Sequence, residues 1–232
     1  MGRMFDLGFG RTEREVVVDR LPVEGQIPAW LHGSLVRNGP GTFHVGNERY
    51  RHWFDGLAML HRFSFTEGQV SYANRFLDCQ AYREARETGT IRYAEFATDP
   101  QRSLLDRMGA VLNPAITDSA KVSVGRLAGR HLALAETPIQ VEFDPVTLAS
   151  CGTFCYEDEL RGQMTTVHPQ FDPQRDLAYN LVTRYHRISH YNIYAVASNG
   201  SRLVSSLPVK KPAYMHSFGM SPTYIILTAV SY

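Results

Sequence analysis

The sequence predicts an all-β protein assembled from serial antiparallel hairpins, and three observations carry that expectation. Apolar and polar residues alternate with period two over much of the chain. Gly-, Pro- and Asp-containing turns interrupt the alternation at short intervals. Only one short segment has a helical pattern. With 44% hydrophobic and 20% charged residues over 232 positions, the chain is of the folded globular class and is expected to form one domain over residues 1–232.

The elements follow in order. Asn38-Gly39-Pro40-Gly41 reads as a tight turn, His52 and Asp55-Gly56 flank another, and Arg37 is expected to pair inside the fold. In AMLHRFSFTEGQVSYANRF, Met59, His61, Phe63 and Phe65 share one strand face. Thr66 to Gln69 supply a Gly-containing turn, and Val70, Tyr72 and Asn74 begin the return strand. His61, alternating with Met59 and Phe63, reads as a satisfied core histidine. Pro100 to Ala110 is the helical segment. Further strand pairs are predicted in HLALAETPIQVEFDPVTLASCGTF, around FDPQRDLAYNLVTRY, and in YNIYAVASNGSRLVSSLPV, where Asn199-Gly200 is a favoured two-residue turn.

Phe143-Asp144-Pro145 and Phe171-Asp172-Pro173 each sit at a strand exit and hint at an internal repeat. Serial hairpins without a helical layer suit a β-propeller, with blades of roughly 40 to 50 residues; a two-sheet sandwich is the rival. TYIILTAVSY ends inside an apolar, strand-like run, so the chain is expected to be an incomplete propeller from a longer polypeptide.

A net charge of +1 and scattered Lys and Arg residues argue against a nucleic-acid partner. No apolar run has the length of a signal peptide or a helical membrane span, which predicts a cytoplasmic protein. Cys79, Cys151 and Cys155 lack zinc-type pairing and read as packing residues in a reduced compartment. HExxH, GxSxG, P-loop and βαβ-borne GxGxxG motifs are absent.

Among nine histidines, His168 in MTTVHPQFDP and His216 in KPAYMHSFGM stand out because 216 − 168 = 48 residues is about one blade period. Equivalent strands of successive blades converge on a propeller axis, where such histidines can meet at one metal ion. On spacing alone, two unrelated histidines with backbone partners remain the simpler reading.

The ordered stretches LHGSLVRNGPGTFHVG, RYRHWFDGLAMLHRFSF, EFATDP, HLALAETP, TTVHPQFDP and KPAYMHSFGMSPTYIILT run from Leu31 to Thr228. Together they resemble the carotenoid cleavage oxygenase family, which includes the animal β-carotene oxygenases and the retinal pigment epithelium isomerase. The segment from Tyr93 through the ETP motif is most similar to the animal branch. The resemblance implies the N-terminal portion of a seven-bladed β-propeller with an axial Fe(II) site held by four histidines. His168 and His216 match the first two ligands, and the other two would lie beyond Tyr232. Glu136 matches a carboxylate that accepts a hydrogen bond from a ligand histidine, with His216 its expected partner; by itself it reads as a strand-end surface carboxylate. Ala135 stands where some relatives carry Thr, which is expected to alter access to the iron.

Neutral imidazoles suit an electron-rich ferrous ion with positions open to dioxygen. Phe96 and Tyr214 are implied as aromatic walls for a polyene, with ordinary packing as their alternative. The implied reaction is O2-dependent scission of a C=C bond in a carotenoid or apocarotenoid to aldehydes, the 232-residue form alone being inactive. Retinyl-ester isomerohydrolysis and noncatalytic carriage of an apolar ligand are the alternatives. An apolar substrate implies peripheral membrane contact, with Leu203 to Pro212 as a candidate rim and a solvated hairpin as the plainer reading.

Overall fold

The computed structural model describes residues 12, 14–100, 116–154, 162–198 and 200–228. It is all-β apart from one short helix among those residues. The first sheet contains β1 (Val17–Val18) and β2 (Gly33–Thr42), followed after a small pair, β3 (His44–Val45) and β4 (Glu48–Arg49), by β5 (Leu57–Thr66) and β6 (Gln69–Phe76). Its spatial order is β1-β6-β5-β2. Helix α1 (Gln80–Thr88) leads towards the second sheet: β7 (Ser123–Leu127), β8 (Arg130–Leu134), β9 (Gln140–Phe143) and β10 (Ser150–Phe154), side by side in chain order. In the third, β11 (Met164–Thr165) and β12 (Gln170–Asp172) both pair with β13 (Leu177–Arg184), which continues to β14 (Ser189–Ala197) and β15 (Gly200–Val209). A final ladder joins β16 (Gly219–Met220) to β17 (Ile225–Ile226).

Apolar side chains stack these sheets in series. Ala58 and Leu60 of the first sheet pack with Ala133, Val141 and Phe143 of the second. Leu127, Leu132 and Leu134 pack with Ala178 and Val196 of the third. Leu181, Tyr191 and Ile193 then meet Met215, Phe218 and Ile225. Each fully buried Leu or Met contributes about 1.5–3 kcal/mol. A sandwich has one core between two sheets, so three successive sheet interfaces exclude it. Among the described residues the series is open and does not close into a ring.

The β5–β6 hairpin has the expected turn, with Thr66 paired to Gln69 and Glu67 and Gly68 both at positive φ. Its strand differs from a one-sided pattern: Leu57, Ala58, Met59 and Leu60 are all buried. Leu57 and Met59 face a second cluster with Phe43, Phe76 and Ala85, while Ala58 and Leu60 face the second sheet. β5 therefore starts as a fully covered strand and continues half-buried to its exposed end at Thr66.

Asn38 to Gly41 is not a turn. It lies within β2, where the register shifts between Pro40 and Thr42. Pro40 sits on an edge strand that tolerates a missing N–H, and Gly41 is the residue inserted at the bulge. A Cβ at Gly41 would lie 2.6 Å from the Met59 Cβ. Asn38 Nδ2 donates to the carbonyls of Ala120 and Ser123, at 2.7 and 3.0 Å, tying β2 to the second sheet. Arg37 is exposed across from His61, and forms no ion pair among the described residues. His61 accordingly behaves as a core histidine: its Nδ1 bonds the Tyr72 hydroxyl at 2.7 Å, and burial, then Arg37, lowers its pKa.

The expected helix at Pro100 to Ala110 lies outside the described residues except for Pro100. Helix α1 was not apparent in the sequence, because its cap is remote. Asp118 accepts hydrogen bonds from the backbone N–H groups of Gln80 and Ala81, at 2.7 and 2.9 Å, and Gly89 ends the helix at φ 65°. Ala81 and Ala85 form its buried face.

The two Phe-Asp-Pro segments share turn chemistry but not position. Asp144 Oδ1 accepts from the amides of Val146 and Thr147 between the last two strands of the second sheet. Asp172 Oδ1 accepts from Gln174 and Arg175 between the first strands of the third. They are independent Asx turns. The two histidines hold comparable places in the chain: His168 precedes β12 by two residues and His216 precedes β16 by three. The β14–β15 hairpin is present, but Gly200 pairs with Ala197 as the first residue of β15 and is not the turn residue expected; Asn199 lies outside the described residues.

Candidate metal centre

Three segments from different sheets converge. His168 lies in the link between β11 and β12, Glu136 follows β8, and His216 lies in the segment before β16. The Nε2 atoms of His168 and His216 face each other at 3.1 Å, with the rings nearly perpendicular. His216 Nδ1–H donates to Glu136 Oε1 at 2.7 Å. The Tyr214 hydroxyl donates to the same oxygen. Tyr214 Oη lies 3.2 Å from His216 Nδ1, so the carboxylate oxygen is the shared acceptor of two neighbouring donors.

This hydrogen bond fixes the tautomer. With a proton on Nδ1, a neutral His216 presents a lone pair at Nε2. The facing His168 Nε2 either donates a hydrogen or presents a second lone pair, and the second arrangement is stable when both bind one cation. Two nitrogens at about 2.1 Å from one ion and at right angles to each other would be separated by about 3 Å. The observed 3.1 Å fits that demand. The pKa of His168 is lowered, chiefly by burial and then by His216, with Glu136 opposing; the shift favours the neutral, ligand-competent ring. Tyr214 is held protonated, its pKa raised by burial and by the hydrogen bond and charge of Glu136. Among the described residues no group of three or more His, Cys, Asp or Glu side chains converges as a complete metal site.

Buried polar side chains fix each segment. Asn180, 1% exposed, donates to the Thr166 carbonyl and to Thr165 Oγ1, each at 3.1 Å, and its Oδ1 accepts from the Leu181 amide at 2.8 Å. These bonds anchor Thr165 and Thr166, three and two residues before His168. The Thr165 amide also donates to the Glu136 carbonyl at 2.8 Å. Tyr191 bonds both polar backbone groups of Ala213, accepting from its N–H at 2.7 Å and donating to its carbonyl at 3.2 Å. Met215 and Phe218 bury on either side of His216, which is exposed. KPAYMHSFGM is therefore an anchored coil up to Phe218, not a continuous strand. Neither Asn180 nor Tyr191 carried a sequence signal, because the partners that anchor the site segments lie 14 to 22 residues away in the chain.

Glu136, His168, Tyr214 and His216 are thus brought together, and Phe96 is not. The Phe96 ring is 70% exposed and packs on His52 and Phe54, at 4.7 and 5.3 Å between centroids. Two carboxylates hold its segment. Asp55 accepts from Thr98 Oγ1 and weakly from the Ala97 amide, and Glu95 pairs with Lys121 at 2.6 Å. Ala135 is buried in the core shared by the first two sheets. Leu203, Val204 and Leu207 are exposed on the edge strand β15. A cleft of about 680 Å³ opens beside His168, lined in part by Gly125, Val167, Phe171 and Val196.

The family model described as Retinal pigment epithelial membrane protein matches residues 9–232. The chain is 34% identical over 240 residues to a carotenoid isomerooxygenase of Drosophila melanogaster, covering 96% of this chain and 38% of that protein. It is 31% identical over 249 residues to a human beta,beta-carotene 15,15'-dioxygenase, covering 95% and 45%. A crystal structure of cobalt-substituted Synechocystis apocarotenoid oxygenase superposes with a TM-score of 0.75 at 27% identity, covering 94% of this chain and 47% of that one. The chain spans less than half the length of these relatives. A match over nearly its whole length, to a family whose solved members share its serial sheets, places the protein: it belongs to the carotenoid oxygenase family described by the Retinal pigment epithelial membrane protein model.

Proposed function

We propose that the protein contributes the first part of a seven-bladed β-propeller and two of four histidine ligands to a non-haem Fe(II) dioxygenase. The observation that carries this reading is the pair of facing Nε2 atoms at 3.1 Å with Glu136 behind one of them. His168 and His216 would hold the ion, and Glu136 would fix His216 with its Nε2 lone pair directed inward. When bound, ferrous iron supplies the redox-active centre at which dioxygen reacts.

The substrate is a carotenoid or apocarotenoid. Scission breaks one C=C bond and forms two C=O bonds, with both oxygen atoms drawn from O2, so the products are aldehydes. The chain's own side chains bind and orient. The Tyr214 ring, 53% exposed beside the histidines, and the Phe96 ring offer flat apolar faces to a rigid polyene. Leu203, Val204 and Leu207, followed by Lys210 and Lys211, form a rim for peripheral contact with a membrane that holds the substrate. Two histidines do not complete the proposed four-histidine site, and activity would require the other two. We assign the protein to the cytoplasmic side of that membrane.

The test is product analysis on the polypeptide extended by any coding sequence after Tyr232. With β-carotene and apocarotenals in air, aldehydes are expected, and they disappear without O2 and in His216→Ala. An isomerised alcohol formed from a retinyl ester without O2 would replace this reading with the isomerohydrolase. Tight binding of a carotenoid that is recovered uncleaved would replace it with a carrier.

A further inference from the structure

We propose that Gln140 is a positioning residue for the Glu136–His216 pair. Gln140 opens β9 and is fully buried. Its Oε1 accepts a hydrogen bond from the Ala135 amide at 2.7 Å, and its Nε2 donates to the carbonyls of Ala135 and Thr137, at 3.2 and 2.7 Å. All three bonds fall on the backbone immediately before and after Glu136. Gln140 makes no hydrogen bond to the carboxylate or to either imidazole.

The reason for this arrangement lies in the strand register. The β8–β9 pairing runs from Leu132–Glu142 to Ala133–Val141 and stops there. Beyond it, the chain turns through Glu136-Thr137-Pro138, which the β8–β9 ladder does not reach. The Gln140 amide, with one acceptor and two donors, extends the ladder across the turn. Its bonds to residues 135 and 137, together with the Thr165 amide on the Glu136 carbonyl, fix the peptide planes on both sides of Glu136. The carboxylate is thereby held where His216 Nδ1–H reaches it. Removing the amide leaves buried backbone groups unpaired and frees the turn to rotate. The expected consequence is loss of the proton position on His216 rather than loss of the fold.

The test is side-chain nitrogen and proton NMR of the metal-free protein in wild type, Gln140→Met, Gln140→Glu and Val141→Ala. In wild type, His216 is expected as the Nδ1–H tautomer with a slowly exchanging Nδ1 proton. Gln140→Met is expected to accelerate that exchange about tenfold or more. Gln140→Glu keeps the side-chain length and the acceptor towards Ala135; burial against two carbonyls holds it as the neutral acid, which retains one O–H donor in place of two N–H donors, so an intermediate effect is expected, and it decides the matter alone if the Met variant does not fold. Val141→Ala, a cavity variant in the adjoining core, is expected to leave the signal unmoved, which separates positioning from general loosening. An unchanged His216 tautomer and exchange rate in both Gln140 variants would overturn the proposal.

A second readout rests on the proposed function. In the extended polypeptide, Co2+ affinity should fall about 10–100-fold in Gln140→Met. Failure of wild type to bind Co2+ would count against the metal site, while the NMR comparison would still decide the role of Gln140.

Discussion

Lys121→Met should be among the most damaging single substitutions outside the candidate site. Lys121 Nζ and Glu95 Oε2 are 2.6 Å apart, and both side chains are only 6% exposed. At an effective dielectric constant of about 20, their gross attraction is about 6 kcal/mol, and desolvation of the two ions offsets most of it. Removing Lys121 alone leaves the desolvation cost of Glu95 without its compensation, a loss of about 3–5 kcal/mol. Removing both charges in Glu95→Gln/Lys121→Met should return stability to within about 1 kcal/mol of wild type, a coupling of at least 2 kcal/mol. The pH dependence has a definite sign. Burial raises the Glu95 pKa above the usual carboxylate value despite Lys121, so the folded state binds the proton more tightly than the unfolded chain. Stability should therefore fall as pH rises from the ordinary carboxylate pKa through the raised one, then level off. In Lys121→Met that decline should extend to higher pH. Urea unfolding of wild type, both single variants and the double variant at several pH values measures all of this. A Lys121→Met cost below about 1 kcal/mol with no added pH slope would refute the argument, because it would mean that the pair is hydrated in solution.

Two further substitutions probe remote anchoring. Asp118→Ala removes both N-terminal bonds of α1 and should cost about 1–2 kcal/mol in urea unfolding, with Asp118→Asn recovering part of the loss. Asn180→Leu keeps the branched side-chain shape but is bulkier, and it removes the amide bonds to Thr165 Oγ1 and the Thr166 carbonyl in a buried place. It should cost at least about 2 kcal/mol and disorder His168 before the rest of the third sheet, readable as loss of the His168 ring resonances' dispersion.

Where local chemistry decides the structure, the sequence was a sufficient guide. The β5–β6 turn follows from Glu67-Gly68, and the β14–β15 hairpin from its two apolar runs, although its turn falls before Gly200. The likeness to known motifs brought His168, Glu136 and His216 into one site, which composition and spacing left open. The features that escaped are those set by distant partners. Asn38-Gly39-Pro40-Gly41 has turn composition but is held extended by pairing with β5. Helix α1 is short and polar, and its capping group is 38 residues away. Asn180, Gln140 and Tyr191 look like ordinary strand residues, and their roles depend on which backbone groups the fold leaves without partners. Tyr214 was expected as a substrate wall; its hydroxyl bond to Glu136 appears only when the segments come together.

The most direct measurement is the metal content of the polypeptide extended beyond Tyr232, purified in parallel as wild type, His168→Ala and His216→Ala. One iron per chain in wild type, with loss from both variants while their cooperative unfolding is retained, is the result expected from the facing Nε2 atoms. Iron retained at full occupancy in both folded variants, or absent from folded wild type reconstituted with Fe(II), would contradict the assignment of His168 and His216 as metal ligands.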